Sequence, residues 1–321
     1  MYSHLLVAVV GLVVLGLSAD RFVLGAAAAS QNLGVGPLIV GITVVGFGTS
    51  APELAISTFA ALQGKPGIAI GNAIGSNIAN ISLVLGLTVL VIPLLARSRL
   101  LRQNMFMLLG VTVATPILLL DGRLGRADGS QLIAGLLVSM GAIVWMASRL
   151  RGDPMSREFA HELPRHMPTT RAAAMLLLGL LGLLIGSRLT VWGAVSIARD
   201  LGLSDLIIGL TIVAVGTSLP ELATAITSGR HKQYDIVIGN IIGSNLFNLL
   251  GVLGVCGLLY PAALPAQVLS RDYPTMALLT LALALLLGRA RKMRAIDRVS
   301  GGLLIGVFVA YQTMIYLDAT S

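Results

Sequence analysis

Two glutamates stand in otherwise apolar sequence, each at the end of the same short pattern. Glu53 closes Gly46-Phe47-Gly48-Thr49-Ser50-Ala51-Pro52-Glu53, and Glu221 closes Ala214-Val215-Gly216-Thr217-Ser218-Leu219-Pro220-Glu221. Each is followed by a second pattern: Gly71, Asn72, Gly75, Ser76, Asn77 and Asn80 in the first copy, and Gly239, Asn240, Gly243, Ser244, Asn245 and Asn248 in the second. The copies align without a gap from Thr49 to Asn80, at an interval of 168 positions. An ionised carboxylate at the centre of a membrane helix costs about 2.5–3.5 kcal/mol on insertion scales. No Lys or Arg lies within either motif to offset that cost.

The neighbouring residues suit a cation. Pro52 has no N–H to give the carbonyl of Gly48, and Pro220 leaves Gly216 in the same position. Freed carbonyls are tolerated at membrane depth only where protein or a wet cavity satisfies them, and a dehydrated cation is a natural partner. Thr49 and Glu53 are four residues apart, as are Thr217 and Glu221, so each pair shares a helix face. Ser50 and Ser218 add hydroxyls. Asn72, Ser76 and Asn80 recur at intervals of four, as do Asn240, Ser244 and Asn248, which lines one face with amide and hydroxyl oxygens. The pairs Gly71/Gly75 and Gly239/Gly243 suggest close helix approach, bringing these oxygens to the glutamates.

Every ligand in the set is oxygen, which selects hard cations: Ca²⁺, Na⁺, and also Mg²⁺ or Mn²⁺. Two glutamates balance one Ca²⁺ or two Na⁺, so competition for one pair of carboxylates is a physical basis for exchange. No His or Cys accompanies the motifs, which argues against zinc.

The elements that must carry these residues are membrane spans. The chain has 321 residues, 56% hydrophobic and 11% charged, with mean hydropathy +0.90. A soluble domain carries about 25% charged residues. The net charge of +8 arises from Lys and Arg between apolar runs, so it reads as topology-setting loop charge and not as a nucleic-acid surface. Ten spans are expected, near 4–28, 35–62, 67–94, 103–120, 130–148, 172–198, 204–228, 235–260, 273–288 and 299–317. The fold class is therefore an all-α polytopic membrane protein. A polar linker, 151–170, separates residues 1–150 from 171–321. Five spans per half is odd, so a second half that repeats the first crosses in the opposite sense: two inverted-topology repeats of five helices. With both termini outside, the cytoplasmic loops hold fifteen Lys and Arg against five in the outer loops, as the positive-inside rule requires.

The remaining residues have ordinary readings. Trp145 and Trp192 anchor span ends. Cys256 is the only cysteine and packs inertly. His4, His161, His166 and His231 fall at a terminus or in loops and are expected to be solvated. The first apolar run lacks the basic flank and cleavage site of a signal peptide, so it is expected to be retained.

The paired G-T-S-x-P-E and G-N-x-x-G-S-N-x-x-N motifs resemble the two alpha-repeats of the calcium:cation antiporter superfamily, in particular its compact prokaryotic sodium/calcium exchanger branch. The resemblance covers essentially the whole chain. It implies that Glu53 and Glu221 are the central calcium ligands, helped by backbone carbonyls of Thr49 and Thr217. It further implies sodium sites at Ser50, Ser76, Ser218 and Ser244, the same glutamates and the carbonyls of Gly46 and Ala214, with Asn80 and Asn248 lining the middle. The implied mechanism is alternating access, in which spans 1 and 6 slide past an ion-holding core. Some prokaryotic exchangers carry aspartate where this chain has Asn248, which leaves stoichiometry and proton coupling open. The 151–170 linker is too short for a calcium-sensing insert of the animal type.

The functional expectation is a secondary antiporter exchanging Na⁺ for Ca²⁺ in a prokaryotic plasma (inner) membrane. Its partners are the lipid bilayer and the transported ions, with no cofactor, nucleic acid or obligatory protein partner. Exchange of H⁺ for Ca²⁺ is the near alternative. A cation channel and an intramembrane enzyme are more distant, since one chain holds both halves of the site and no base accompanies Ser50 or Ser218.

Overall fold

The computed structural model describes residues 2–35, 37–95, 99–149, 167–201, 214–293 and 295–320. These residues are almost entirely helical. Six helices are long and apolar enough to cross a bilayer: Tyr2–Leu33, Pro66–Val91, Arg126–Met146, Thr169–Ala198, Tyr234–Leu259 and Arg298–Asp318. Their polarity is inside out relative to a water-soluble protein. Thr49, Ser50, Glu53, Asn80, Glu221, Ser244 and Asn248 are buried, while Leu6, Leu12, Leu178, Leu278 and Leu303 are more than half exposed. An apolar exterior around a polar interior is the arrangement a lipid solvent imposes, and the chain is an integral membrane protein. Trp145 and Trp192 both face outward.

The other expected spans are less regular. The 35–62 stretch is interrupted: Pro37–Val40 and Gly46–Thr49 flank a π-helical turn, Gly41–Val45, and a break at Ser50 precedes Ala51–Leu62. The 103–120 span is apolar over Gln103–Leu118, within helix Arg99–Leu118. The 273–288 expectation falls within helix Tyr273–Met293. Much of 204–228 lies outside the described residues; its visible part is Ala214–Thr217, a break at Ser218, and Leu219–Arg230. A shift of 168 residues carries Gly46–Thr49 onto Ala214–Thr217 and Ala51–Leu62 onto Leu219–Arg230. The linker at 151–170 is described only from 167 onward, and His161 and His166 lie outside the described residues.

Two long helices, Tyr2–Leu33 and Thr169–Asp200, lie antiparallel along each other. Their backbones touch. A Cβ on Gly11 would come 2.5 Å from the amide nitrogen of Thr190, one on Gly186 2.7 Å from that of Leu15, and one on Gly25 2.7 Å from that of Leu176. Association in lipid depends on such packing, because apolar burial gives no drive there. The pair contributes Ala19, Phe22, Ala26 and Leu183 to a small core completed by Val40, Val45 and Ile236.

Helices Pro66–Ala79 and Tyr234–Leu246 form the centre of the molecule. Each runs on into a π-helical segment, Asn80–Leu85 and Phe247–Val252. Single π turns re-aim side chains and recur at functional sites. The last helix of each half packs on the other half: Arg298–Thr320 against Gly86–Val91, and Arg126–Arg149 against Leu253–Leu259. Two backbone pairings fasten the ends. Arg123–Leu124 pairs antiparallel with Ala262–Ala263, and Leu94 bridges to Ile296.

The glycine pairs of the second motif behave differently in the two copies. A Cβ on Gly243 would fall 2.1 Å from the carbonyl oxygen of Ile42, so this glycine allows helix contact. A Cβ on Gly71 or Gly75 would meet nothing within 4 Å. The expected close approach is therefore made by the second copy, and the first leaves its glycines in open space.

Two histidine readings also change. His231 Nε2 lies 2.6 Å from Asp20, and His4 Nδ1 lies 2.9 Å from Asp200. Each pairs with a carboxylate from a distant part of the chain. The His4 hydrogen bond holds the Asp200 carboxyl below its ordinary value.

Candidate cation site

The chemistry of the site begins at two helix breaks. Ser50 has φ −83° and ψ 7°, and Ser218 has φ −88° and ψ 6°. These angles lie outside the helical well, and the proline in the first turn of each following helix fits a helix start there, where its missing N–H costs least. Glu53 and Glu221 then fall in the first turn of Ala51–Leu62 and Leu219–Arg230. A helix N-terminus favours a carboxylate, typically by about 0.3–1 kcal/mol. The preceding short helices end in carbonyls at the same point. Each break thus offers anionic and carbonyl oxygens together, as broken transport helices do.

The break in the second copy is satisfied from outside the motif. Ser187, on the long helix Thr169–Asp200, donates its hydroxyl to the carbonyl of Gly216 at 2.8 Å. Pro220 frees that carbonyl, which was expected to await a cation; a serine hydroxyl fills the role instead. In the first copy the Ser50 amide reaches back to the Gly46 carbonyl at 3.2 Å.

The two motifs meet. Ser50 donates to Glu221 Oε1 at 3.3 Å, so the second glutamate reaches the first break. Thr49 Oγ1 lies 3.0 Å from Asn240 Oδ1 and 3.0 Å from the Val45 carbonyl. Ser244 Oγ lies 3.1 Å from the Gly46 carbonyl and 3.4 Å from Asn240 Oδ1. Across the centre, Asn77 donates to the Asn245 carbonyl at 3.2 Å, and Asn80 donates to Asn245 Oδ1 at 3.3 Å. Asn77 and Asn245 are equivalent positions, 168 residues apart, so the two halves cross at matched points.

Several buried oxygens of the two motifs have no hydrogen-bond partner among the described residues. They are both carboxylate oxygens of Glu53, Oε2 of Glu221, the hydroxyl of Ser218, and the amide oxygens of Asn80 and Asn248. Both glutamates are 1% exposed. Ionised carboxylates buried in this way cost several kcal/mol each unless positive charge joins them. Oxygens of this kind and number suit Ca²⁺, which takes about 6–8, or Na⁺.

Among the expected ligands, Ser50 touches Glu221, and Ser244 touches the Gly46 carbonyl. Glu53, Glu221, Thr49, Ser50, Ser76, Ser218, Ser244, Asn80 and Asn248 are all buried. Thr217 ends the short helix Ala214–Thr217 and is half-buried. The Gly46 carbonyl already accepts from the Ser50 amide and stands 3.1 Å from Ser244 Oγ. Ala214 begins its helix one turn before the break.

Sequence reasoning missed a supporting layer. Asn72 donates to the Glu53 carbonyl at 3.1 Å and to Ser57 Oγ at 2.9 Å, and Ser57 donates to the Ala69 carbonyl at 3.2 Å. Asn240, Asn77, Asn245 and Ser187 belong to this layer too. The asparagines were visible in the motif; Ser187 carried no sequence signal.

The chain is similar to known proteins over almost its whole length. Residues 3–145 and 171–317 match the family described as sodium/calcium exchanger protein. The chain is 44% identical to CaxA of Alkalimonas amylolytica over 308 residues, covering 96% of this chain and 97% of that protein. It is 40% identical to the inner membrane protein YrbG of Escherichia coli, covering 96% and 95%. A solved structure of the sodium-calcium exchanger NCX_Mj, soaked with zero Na⁺ and Ca²⁺, superposes with a TM-score of 0.82 at 32% identity, covering 97% of this chain and 98% of that one. With both glutamate motifs inside the matched segments, the chain belongs to the sodium/calcium exchanger family.

Proposed function

We propose that this protein exchanges Na⁺ for Ca²⁺ across a prokaryotic inner membrane by alternating access, with the ions held between Glu53 and Glu221. The observation that carries this reading is the set of three carboxylate oxygens, from two copies of one motif, buried together without partners among the described residues. Their charge matches one Ca²⁺ or two Na⁺, so each ion displaces the other. Glu53 and Glu221 are direct ligands in this reading. Carbonyls of Thr49 and Thr217 complete the calcium site. Ser50, Ser76, Ser218 and Ser244, with the carbonyls of Gly46 and Ala214, serve sodium. Asn80 and Asn248 line the centre with neutral oxygens.

The architecture we infer is ten spans in two inverted repeats, residues 1–150 and 171–321, joined by a cytoplasmic linker at 151–170, with both termini outside. Three features support it. The equivalent long helices Tyr2–Leu33 and Thr169–Asp200 run antiparallel. The central helices cross at Asn77 and Asn245. The end helices of each half pack reciprocally on the other. The tight pair of long helices is a rigid unit that moves against the core and opens the site to alternate sides.

Reconstituted protein in Na⁺-loaded vesicles should take up radiolabelled calcium, and collapse of the sodium gradient should stop it. Uptake driven equally by a pH gradient without sodium would overturn sodium as the counter-ion. Uptake indifferent to both gradients would overturn exchange.

A further inference from the structure

Beyond Glu221, on the same face of helix Leu219–Arg230, stand Thr224 and Ser228, three and seven residues on. Both are 0% exposed, and their hydroxyl oxygens have no hydrogen-bond partner among the described residues. A buried Ser or Thr in a helix commonly donates to the carbonyl four residues back. Ser82, Thr88, Thr112 and Thr280 do so here, at 2.6–2.9 Å. Thr224 and Ser228 do not, so their hydroxyls are free to serve another group. Their helix packs against Tyr2–Leu33 and Gly86–Val91, and against Tyr234–Leu246 and Asn80–Leu85, which carry Asn240, Asn245 and Asn80. The first copy has Ile56 and Ala60 at the equivalent positions. Its buried hydroxyl, Ser57, is engaged by the Ala69 carbonyl and Asn72. The feature therefore exists in one half only.

We propose that Thr224 and Ser228 form a cation relay that takes Na⁺ or Ca²⁺ from Glu221 toward the turn at His231–Gln233. The proposal rests on the exchanger reading of the central site and adds a route to it. Hydroxyl oxygens suit hard cations. Being neutral, they bind weakly enough to let an ion pass on, which conduction requires. Seven residues of helix span about 10 Å, much of the ~15 Å half-thickness of the hydrocarbon core. The relay is closed in this structure, since both residues are fully buried. It is lined by the second half, so it serves one side of the membrane.

The test compares T224V/S228A with the conservative T224S, each reconstituted for sodium-driven calcium uptake and each titrated with Ca²⁺ in detergent. The double variant is expected to keep its calcium dissociation constant while its maximal exchange rate falls about tenfold, the worth of a lost polar ligand. T224S should keep the wild-type rate. An unchanged rate in the double variant overturns the relay, as does a rate loss matched by an equal loss of equilibrium affinity. Loss of rate in T224S would assign Thr224 a packing role through its methyl group and overturn it too. The exchanger reading fails separately, if E53Q and E221Q retain full calcium affinity.

Discussion

Replacing Glu221 with glutamine removes charge and almost nothing else. The amide keeps the carboxylate's shape, and its oxygen can still accept from Ser50, which stands 3.3 Å from Glu221 Oε1. What changes is the balance at the centre: one carboxylate, Glu53, then faces Ca²⁺ alone. Losing one member of a buried charge set costs about 3–5 kcal/mol, which is roughly two to four powers of ten in calcium affinity. The sign in the ion-free protein is opposite. Both carboxyl groups are buried there with no ion to offset the cost of burial, so E221Q should unfold at the same or a higher temperature than wild type without ions. Calcium at a hundred times the wild-type dissociation constant stabilises wild type by about 2.7 kcal/mol, whereas a variant binding a hundredfold more weakly gains only about 0.4 kcal/mol. Thermal unfolding in detergent, with and without Ca²⁺, measures both quantities on one sample. A variant that melts lower without ions and keeps its full calcium shift would refute the reasoning. E53Q should behave alike.

Three further outcomes follow from the packing. Ser187→Ala should strand the buried Gly216 carbonyl, lowering stability by about 1–3 kcal/mol; an unchanged melting temperature would show that Ser187 does not supply that bond. Gly243→Ala should destabilise by about 1–3 kcal/mol through overpacking against Ile42, while Gly75→Ala should be neutral or stabilising, since Ala is the better helix former by about 1 kcal/mol; equal melting temperatures would contradict the asymmetry between the copies. Asp20→Asn, which weakens a half-exposed pair with His231, should cost no more than about 1 kcal/mol of stability yet change the exchange rate, because the pair ties a long moving helix to the end of Leu219–Arg230; an unaltered rate would remove that tie from the transport cycle.

The glutamates, the breaks and the membrane character were legible in the sequence because each follows from local chemistry. Proline two residues after Ser50 and Ser218 denies a backbone donor, and the chain must break there whatever surrounds it. A repeated carboxylate in apolar surroundings demands a partner in the same way. What was not legible depends on elements far apart in the chain. Pro220 shows that the Gly216 carbonyl is freed; nothing local shows that Ser187, 29 residues earlier, will take it. His231 reads as a loop residue, and its pairing with Asp20 exists only once the first helix lies beside Leu219–Arg230. The glycine pairs look identical on paper, but a small residue permits contact without causing it: Gly243 is pressed against Ile42, while Gly71 and Gly75 face open space. The π turns at Asn80–Leu85 and Phe247–Val252 carry no proline and shift the register of the asparagine stripe, so simple spacing by four does not extend through them.

The central claim, that Glu53 and Glu221 share one metal ion, is tested most directly by the anomalous scattering of a divalent ion in crystals of this protein grown with Ca²⁺ or Sr²⁺. The account predicts a single strong peak about 2.3–2.6 Å from carboxylate oxygens of both residues. A peak bound by only one of the two, or ions found only outside the buried centre, would contradict it.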